Sequence, residues 1–386
     1  MSTRSGPLSL IAVVMIGAAH ANLAQSADEL VRVTFTDKAT EQERSLAGRI
    51  LVEAADGGLL VEDRSRELWT VTPDQLLSRE TLAGEFQPFD GEELGRHLLA
   101  QHGDEFTLVE TEHYAICTSA GAAYSEWVGK LFERLQRAFL DTWQRAGLEL
   151  HEPQAPLPAI VFRTKQEYAE FAARDAGPQL ADAAGYYSIR TNRIVLYDLT
   201  SEAGGASSRS ANEIERRLRA SPENVATIVH EATHQIAFNC GMHTRYADNP
   251  MWLLEGMAMY CETPDLRSGS GWKAIGKLNL PRLNRFRRFS EARRRDDSLL
   301  SLIVNEDRFR DPETVADAYA ESWALTYFLI RNRREEMVAY LKALSSKPQL
   351  RWDSAEDRRQ EFVDAFGNVS DLEEDFVRFI RRQGRR

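Results

Sequence analysis

The sequence predicts an α+β fold in which a mixed sheet is followed by a largely helical C-terminal part. Strand-like and helix-like segments alternate between residues 106 and 199, and from about Pro312 onward the patterns are helical. An earlier stretch, 49–77, shows only the period of strands. A sheet that precedes a run of helices is typical of α+β proteins, and 386 residues with 43% hydrophobic side chains suffice for two or three domains.

The N-terminus has the features of a signal peptide. Arg4 precedes an apolar run over 8–19, and Ala19-His20-Ala21 fits the A-x-A rule, so we expect a signal peptide over residues 1–21. Ala24 marks an alternative cleavage site. The run is shorter than the roughly 20 residues that span a bilayer. We therefore expect export to the periplasm or the extracellular space and no stable membrane span, with an uncleaved anchor as the alternative.

Residues 28–103 are predicted to form a small β-rich N-terminal module. Its alternating segments are separated by turns at Asp56-Gly57-Gly58 and near residues 63–65. No residue pattern in this module indicates a function. The remaining chain, 104–386, is predicted to form a second domain.

The first elements of the second domain follow from periodicity. Alternation, helical spacing and turn residues predict a strand, a long amphipathic helix, a strand, a helix and a hairpin that turns at Thr191-Asn192. These segments are 106–119, 122–143, 158–164, 165–175 and 183–199. A Gly/Ser-rich loop over 201–210 follows them.

Four later helices are delimited mainly by capping residues and prolines. They are 221–241, with Ser221 as cap, Pro222 at its first position and Gly241 at its end; 248–262, with Asp248 or Asn249 as cap and Pro250 at its start; 311–332; and 370–382, with a capping box from Ser370 to Glu373.

Composition limits the partners of this chain. The 48 basic residues are outnumbered by 59 acidic ones, and the net charge of −11 argues against nucleic-acid binding, which needs a concentrated basic surface. The basic cluster at 285–297 is flanked by acidic residues and is expected to be a solvated face. Cys117, Cys240 and Cys261 are too few for a disulfide framework, although a single bridge is possible in an oxidising compartment.

The helix over 221–241 contains the sequence HEATH. His230 and His234 lie about 40° apart on one helical face, where two imidazoles can share one metal ion. The apolar stripe of this helix, which is expected to face the core, lies on the opposite side and comprises Val225, Val229, Ala232 and Ile236. Because the histidines lie outside that stripe, a metal site explains them better than two core histidines do.

Two glutamates complete the predicted site. Glu231 lies about 100° from His230, within reach of a metal-bound water but turned away from direct ligation. Glu255 falls midway in the apolar segment 251–261, where a carboxylate is costly unless it is paired or bound to a metal. Gly256 and Ala258 are small enough for close helix packing there. A core glutamate held in a salt bridge is the alternative for Glu255.

HEATH, with Glu255 twenty-one residues after His234, resembles the gluzincin metallopeptidases of the peptidase MA clan. The resemblance covers roughly residues 106–330 and is closest to exported bacterial gluzincin-like domains of unknown function. It implies a zincin-like fold for 104–386, with His230, His234 and Glu255 as Zn²⁺ ligands and Glu231 as general base. It also implies a peptide or protein substrate lying against the hairpin strand near residues 186–197.

The sequence departs from the gluzincin pattern in places. Met259 stands four residues after Glu255, where many gluzincins have an aspartate that supports a ligand histidine. No amine-anchoring motif is visible, which favours an endopeptidase. Cys240, six residues after His234, is where the metzincins have their third ligand, but Ala237 replaces their helix-breaking glycine. Tyr319 is a candidate for transition-state stabilisation by resemblance, and a packed aromatic is the alternative.

The expected function is that of an exported zinc peptidase in which Glu231 activates the attacking water. Two other functions are compatible with the same residues. One is a catalytically silent zincin fold that binds a partner in its cleft, although an intact Glu231 is not needed for that. The other is a zinc amidase that acts on a non-peptide substrate such as a cell-wall amide.

Overall fold

The computed structural model describes residues 29–38, 40–201, 210–265 and 272–384. The predicted α+β class is confirmed, because two five-stranded sheets precede a helical C-terminal part. The predicted signal peptide and most of the predicted loop over 201–210 lie outside the described residues. Within them, no helix has the length and apolar character that crossing a membrane requires.

The first sheet is antiparallel and has the spatial order β4-β3-β2-β1-β5. Its strands are β1 (Glu29–Asp37), β2 (Gln42–Glu53), β3 (Leu59–Asp63), β4 (Leu68–Val71) and β5 (Leu76–Glu85). Alternate residues such as Val31, Val33 and Phe35 bury one face. The sheet ends at Glu85, and the next helix, α1 (Gly91–Leu99), packs Leu94 and Leu98 against the second sheet.

The second sheet has the order β6-β7-β8-β10-β9, with parallel pairing from β7 through β8 to β10. Its strands are β6 (Thr107–Glu110), β7 (Tyr114–Thr118), β8 (Leu157–Phe162), β9 (Gly185–Tyr187) and β10 (Ile194–Tyr197). The single strand predicted over 106–119 is wrong, because β6 and β7 form a tight antiparallel hairpin. Glu133 accepts hydrogen bonds from the Thr111 hydroxyl and the His113 amide, and this stabilises the turn.

Helices supply most of the remaining structure. They are α2 (Ala122–Gln144), α3 (Lys165–Asp175), a 3-10 turn (Pro178–Leu180), α4 (Ala211–Ala220), α5 (Pro222–Asn239), α6 (Met251–Cys261), α7 (Leu280–Ala292), α8 (Ser298–Val304), α9 (Asp307–Arg310), α10 (Val315–Asn332), α11 (Arg334–Ser345), α12 (Ala355–Phe366) and α13 (Val369–Arg382).

Two predicted caps are wrong, and a third is correct only in position. Pro250, rather than Asp248 or Asn249, is the residue before α6, and the Asp248 carboxylate is instead paired with Arg358. Asn368 caps α13, so the predicted capping box of Ser370 and Glu373 does not form. Ser221 precedes α5 as predicted, but its side chain makes no capping hydrogen bond. In each case the sequence shows the helix start correctly within one or two residues but not the orientation of the capping group.

Helix α5 is buried on nearly every side, because it contacts β9, β10, α2 and α6. The predicted apolar stripe is buried, and so are both histidines on the other face. Helix α6 in turn packs tightly on α10. A Cβ atom on Gly256 would lie 2.8 Å from the Ser322 carbonyl oxygen and would collide with Thr326, so glycine allows this close approach. The packing places Glu255 between α5 and α10.

Candidate metal centre

Three buried side chains from α5 and α6 converge in the second domain. Glu255 Oε2 lies 3.0 Å from His230 Nε2, and Glu255 Oε1 lies 3.7 Å from His234 Nε2. The two Nε2 atoms are 3.2 Å apart. The side chains of all three residues are at most 6% exposed. The structure thus brings together the three residues that the sequence indicates as metal ligands.

The three side chains fit a tetrahedral metal ion. Two atoms that each lie 2.0–2.1 Å from a zinc ion are about 3.3–3.4 Å apart at the tetrahedral angle. The observed separations of 3.0, 3.2 and 3.7 Å bracket that value. Glu255 Oε1 is also buried without a hydrogen-bond partner. Because such an orphaned carboxylate oxygen is costly, a cation among the three groups would remove a cost that the fold otherwise bears.

One other group of described residues, Glu112, His113 and Glu133, brings three possible ligands together. It is partly exposed, and His113 Nδ1 is already 2.8 Å from Glu133 Oε2. None of its atoms is buried without a partner. These contacts stabilise the turn between β6 and β7, and the group is explained without a metal.

The charges of the buried site are balanced through His230. Burial lowers the pKa of His230, but hydrogen bonds to Glu255 and Glu262 outweigh this effect and raise the pKa to about 10. Burial raises the pKa of Glu255, and burial lowers the pKa of His234 well below its usual value. The buried carboxylates therefore favour a positive charge at this position, which a proton or a metal ion can supply.

Glu262 is a member of the site that sequence reasoning missed. Its Oε2 lies 2.9 Å from His230 Nδ1, and its Oε1 accepts hydrogen bonds from Asn279 (2.8 Å) and Arg282 (3.1 Å). Burial raises the pKa of Glu262, but Arg282 and His230 outweigh it and lower the pKa to about 2. An ionised carboxylate can only accept, so Nδ1 carries the proton and Nε2 is left for a metal.

A spacing signal for Glu262 exists in the sequence. Glu262 lies seven residues after Glu255, which is about two helical turns and returns to the same face. In the gluzincin pattern the supporting acid stands four residues after the ligand glutamate. In this chain that position is occupied by the apolar Met259. The carboxylate that contacts the candidate ligand His230 therefore lies about one turn further along the chain.

Glu262→Gln is expected to weaken zinc binding by about 10- to 100-fold, which is typical for losing the partner of a ligand histidine. The amide still fits the space but no longer favours the proton on Nδ1. Asp265→Asn is the matched control. Asp265 is also a buried acid, lies three residues after Glu262, and accepts a hydrogen bond from the Lys273 amide. Competition with a zinc chelator measures both variants. Equal affinities for the two would show that Glu262 does not support His230.

Glu231 is bound to the edge of the second sheet. Its Oε2 accepts a hydrogen bond of 2.8 Å from the Tyr187 amide, and the residue is 1% exposed. Tyr187 ends β9, which is the edge strand of the sheet. Of the hairpin expected at the edge, near residues 186–197, only β9 is an edge strand, because β10 lies between β8 and β9. Substrate binding at this edge stays a prediction. This contact fixes one carboxylate oxygen of Glu231 next to the histidines.

Tyr319 lies buried on α10, 5% exposed, with the Arg282 guanidinium 5.7 Å from the centre of its ring. Burial raises the pKa of Tyr319 well above its usual value, and the charges of Glu255 and Glu231 raise it further. The hydroxyl is thus within electrostatic reach of both carboxylates and stays protonated. The ring also packs edge-on against Phe309. Its role in transition-state stabilisation stays a prediction.

The cysteines take no part in this cluster. Cys117, Cys240 and Cys261 are buried and free, so the possible disulfide does not form among the described residues. Cys240 follows α5, and its Sγ points toward the Ala237 carbonyl at 3.7 Å. It is not among the groups that converge with His230 and His234.

Part of the chain matches the model of a protein family. Residues 224–351 match the model of a family described as a protein of unknown function, DUF1570. No curated protein matches the chain. The matched segment, about a third of the chain, contains His230, Glu231, His234, Glu255 and Glu262, together with Tyr319. The candidate metal centre therefore lies wholly inside the segment that this chain shares with that family.

Proposed function

We propose that this chain is an exported zinc-dependent peptidase of the gluzincin type. The observation that carries the proposal is the convergence of His230, His234 and Glu255 beside Glu231, with an orphaned ligand oxygen on Glu255. Two nitrogens and one oxygen are a donor set that zinc uses in hydrolytic enzymes, with a position left open for water or substrate. Removal of residues 1–21 during export would leave a chain that begins at Asn22.

The ligands would hold zinc, which supplies when bound a charge that polarises the substrate carbonyl and acidifies the attacking water. Glu231 takes the proton of that water and passes it to the nitrogen of the leaving amine. The Tyr187 amide donates to Oε2 of Glu231 and so fixes the position of this carboxylate. The protonated hydroxyl of Tyr319 can donate a hydrogen bond to the developing oxyanion.

The surroundings of Glu231 support catalysis rather than a silent binding fold. A carboxylate that is 1% exposed is costly, and a scaffold would not need to keep one beside the histidines. The expected pairing of an extended peptide with the edge strand β9 would need Gly185, Tyr186 and Tyr187 to be uncovered, because all three residues are buried. A peptide substrate has the carbonyl that the water attacks, the nitrogen that leaves and a backbone that can lie extended.

The test is metal analysis of the purified chain together with digestion of a broad synthetic peptide pool. We expect about one zinc per chain and peptide cleavage, both lost in the double variant His230→Ala/His234→Ala. The double variant also controls for a contaminating protease. A chain that binds zinc and hydrolyses cell-wall amides but no peptides would be an amidase rather than a peptidase. Full zinc content in the double variant would remove the site assignment.

A further inference from the structure

The start of α7 is bound to the carboxylate of Glu262. Asn279, the residue that caps α7, donates to Glu262 Oε1 at 2.8 Å, and Arg282 Nε in the first turn donates to the same oxygen at 3.1 Å. The Asn279 side chain also accepts a hydrogen bond of 3.2 Å from the Arg282 amide, so the cap and the first turn hold each other in place. The start of a helix carries a partial positive charge and favours a carboxylate. One oxygen of Glu262 is therefore held by α7.

The other oxygen of Glu262 faces the candidate metal centre. Oε2 lies 2.9 Å from His230 Nδ1, and His230 Nε2 lies 3.0 Å from Glu255 on the other side of the ring. Glu262 is 6% exposed. Because a carboxylate is planar, the contacts of Oε1 with α7 limit the directions in which Oε2 can point. The position of α7 thereby bears on the orientation of a candidate ligand.

The Arg282 guanidinium is held between Glu262 and Tyr319. Its central carbon lies 5.7 Å from the centre of the Tyr319 ring, within the range of a cation–π contact. Burial lowers the pKa of Arg282, but the charge of Glu262 outweighs this effect and raises the pKa. The side chain is 23% exposed. Arg282 is thus a charged donor fixed on two sides, with part of its surface open to solvent.

Arg282 bears on a bound metal in two ways of opposite sign. As a cation it repels a metal ion, so its charge alone would weaken metal binding. As a donor it keeps Glu262 directed at His230, and a residue of this kind strengthens binding because it orients a ligand. The ion pair with Glu262 leaves little net charge to act at a distance. We therefore expect the contact with Glu262 to have the larger effect.

Arg285, one turn further along α7, offers a comparison within the same helix. Its Nε lies 2.5 Å from Asp317 Oδ1, and the Asp317 side chain is 3% exposed. Arg293 also contacts Asp317. Within the part of the chain that the structure describes, Asp317 makes no side-chain hydrogen bond with any of the three candidate ligands. Arg285 thus pairs with a buried carboxylate as Arg282 does, but this carboxylate is not linked to the metal centre.

We propose that Arg282 is a positioning residue of the metal centre, which acts on His230 through Glu262. The inference rests on the proposed zinc site and extends it to α7. Arg282 holds Oε1 of Glu262, Oε2 then stays directed at His230 Nδ1, and the ring keeps Nε2 directed at the metal. Neither the metal nor the substrate contacts Arg282 in this role.

The experiment measures zinc affinity by chelator competition in four chains: wild type, Arg282→Met, Glu262→Gln and the double variant. We expect Arg282→Met to bind zinc about tenfold more weakly than wild type, at the lower end of the effect of residues that support a ligand histidine. In the Glu262→Gln background the same change should cause no further loss, because Arg282 acts through that carboxylate. Equal losses in both backgrounds, no loss, or a gain of affinity in Arg282→Met would overturn the proposal.

Two controls separate positioning from packing. Arg285→Met removes a guanidinium from the same helix and should retain the zinc affinity of the wild type. Arg282→Ala lacks the donor as Arg282→Met does, but it also lacks the long apolar stem that methionine preserves. Equal zinc loss in the two Arg282 variants is expected, and thermal unfolding shows which of them is folded. A loss confined to Arg282→Ala would mean that the stem matters and the hydrogen bond does not.

A measurement on the metal-free chain separates this inference from the proposed function. With ¹⁵N-labelled histidines, the His230 Nδ1 proton should give an NMR signal that exchanges slowly with water, because it lies in a buried contact with Glu262. Loss of the signal in His230→Gln assigns it. In Arg282→Met the proton should exchange about tenfold faster or more, and in Arg285→Met at the wild-type rate. An unchanged rate in Arg282→Met would refute the positioning role even if the wild-type chain bound zinc and cleaved peptides.

Discussion

Glu231→Gln is expected to keep its fold and its zinc and to lose peptide hydrolysis by about a hundredfold or more, the usual effect of losing a general base. Glutamine matches glutamate in size, and its amide oxygen can still accept the hydrogen bond that the Tyr187 amide donates at 2.8 Å. What the variant lacks is basicity. Hydrolysis rates, zinc content and thermal unfolding of the same preparation measure the three properties separately.

Glu223→Gln is the matched control for this variant. Glu223 lies in the first turn of the same helix and is exposed, away from the convergent ligands. It should hydrolyse peptides at the wild-type rate. A Glu231→Gln preparation as active as Glu223→Gln would mean that another group takes the proton or that the activity belongs to a contaminant.

Glu255→Ala is expected to lose zinc on passage through a desalting column, whereas the wild-type chain retains it. The variant removes one of three ligands, so its effect should exceed the roughly 10- to 100-fold cost of losing a residue that only supports a ligand. The fold should persist, because the variant also removes a fully buried carboxylate whose Oε1 has no hydrogen-bond partner. Metal analysis and thermal unfolding of the variant without metal measure the two effects.

Cys240→Ser is the control for the third ligand. The Sγ atom of Cys240 faces the Ala237 carbonyl rather than the histidines, so serine should leave zinc retention unchanged. X-ray absorption on the zinc-loaded chain should show only nitrogen and oxygen neighbours at about 2.0–2.2 Å. A sulfur neighbour near 2.3 Å, together with zinc loss in Cys240→Ser, would contradict the gluzincin assignment.

Much of the secondary structure could be predicted because its signals are local. The hairpin turn at Thr191-Asn192 is an example: Asn192 has φ of 59°, a left-handed conformation that asparagine adopts more readily than most residues. The helices over 122–144 and 222–239 follow from periodicity and end residues in the same way. The predicted single strand at 106–119 failed because the turn at 111–113 depends on Glu133, twenty residues further along the chain.

The sequence by itself determined the positions of the candidate ligand residues. Four-residue spacing on a helix brings His230 and His234 to one face whatever the rest of the chain does, since it follows from backbone geometry. The apolar surroundings of Glu255 likewise indicate a buried carboxylate that needs a cation or a hydrogen-bond donor. That the site binds zinc, that Glu231 is the general base and that the substrate is a peptide are expectations drawn from the types of these residues.

Only the tertiary structure decided which groups surround those residues. The contact of Glu262 with His230, the hold of the Tyr187 amide on Glu231 and the reach of Arg245 to Ile189 each join different elements of the fold. They depend on how helices and strands pack and on which backbone groups the edge of a sheet leaves unpaired. Periodicity along the chain carries no record of that packing, because it reports which face of an element is buried and not what lies against it.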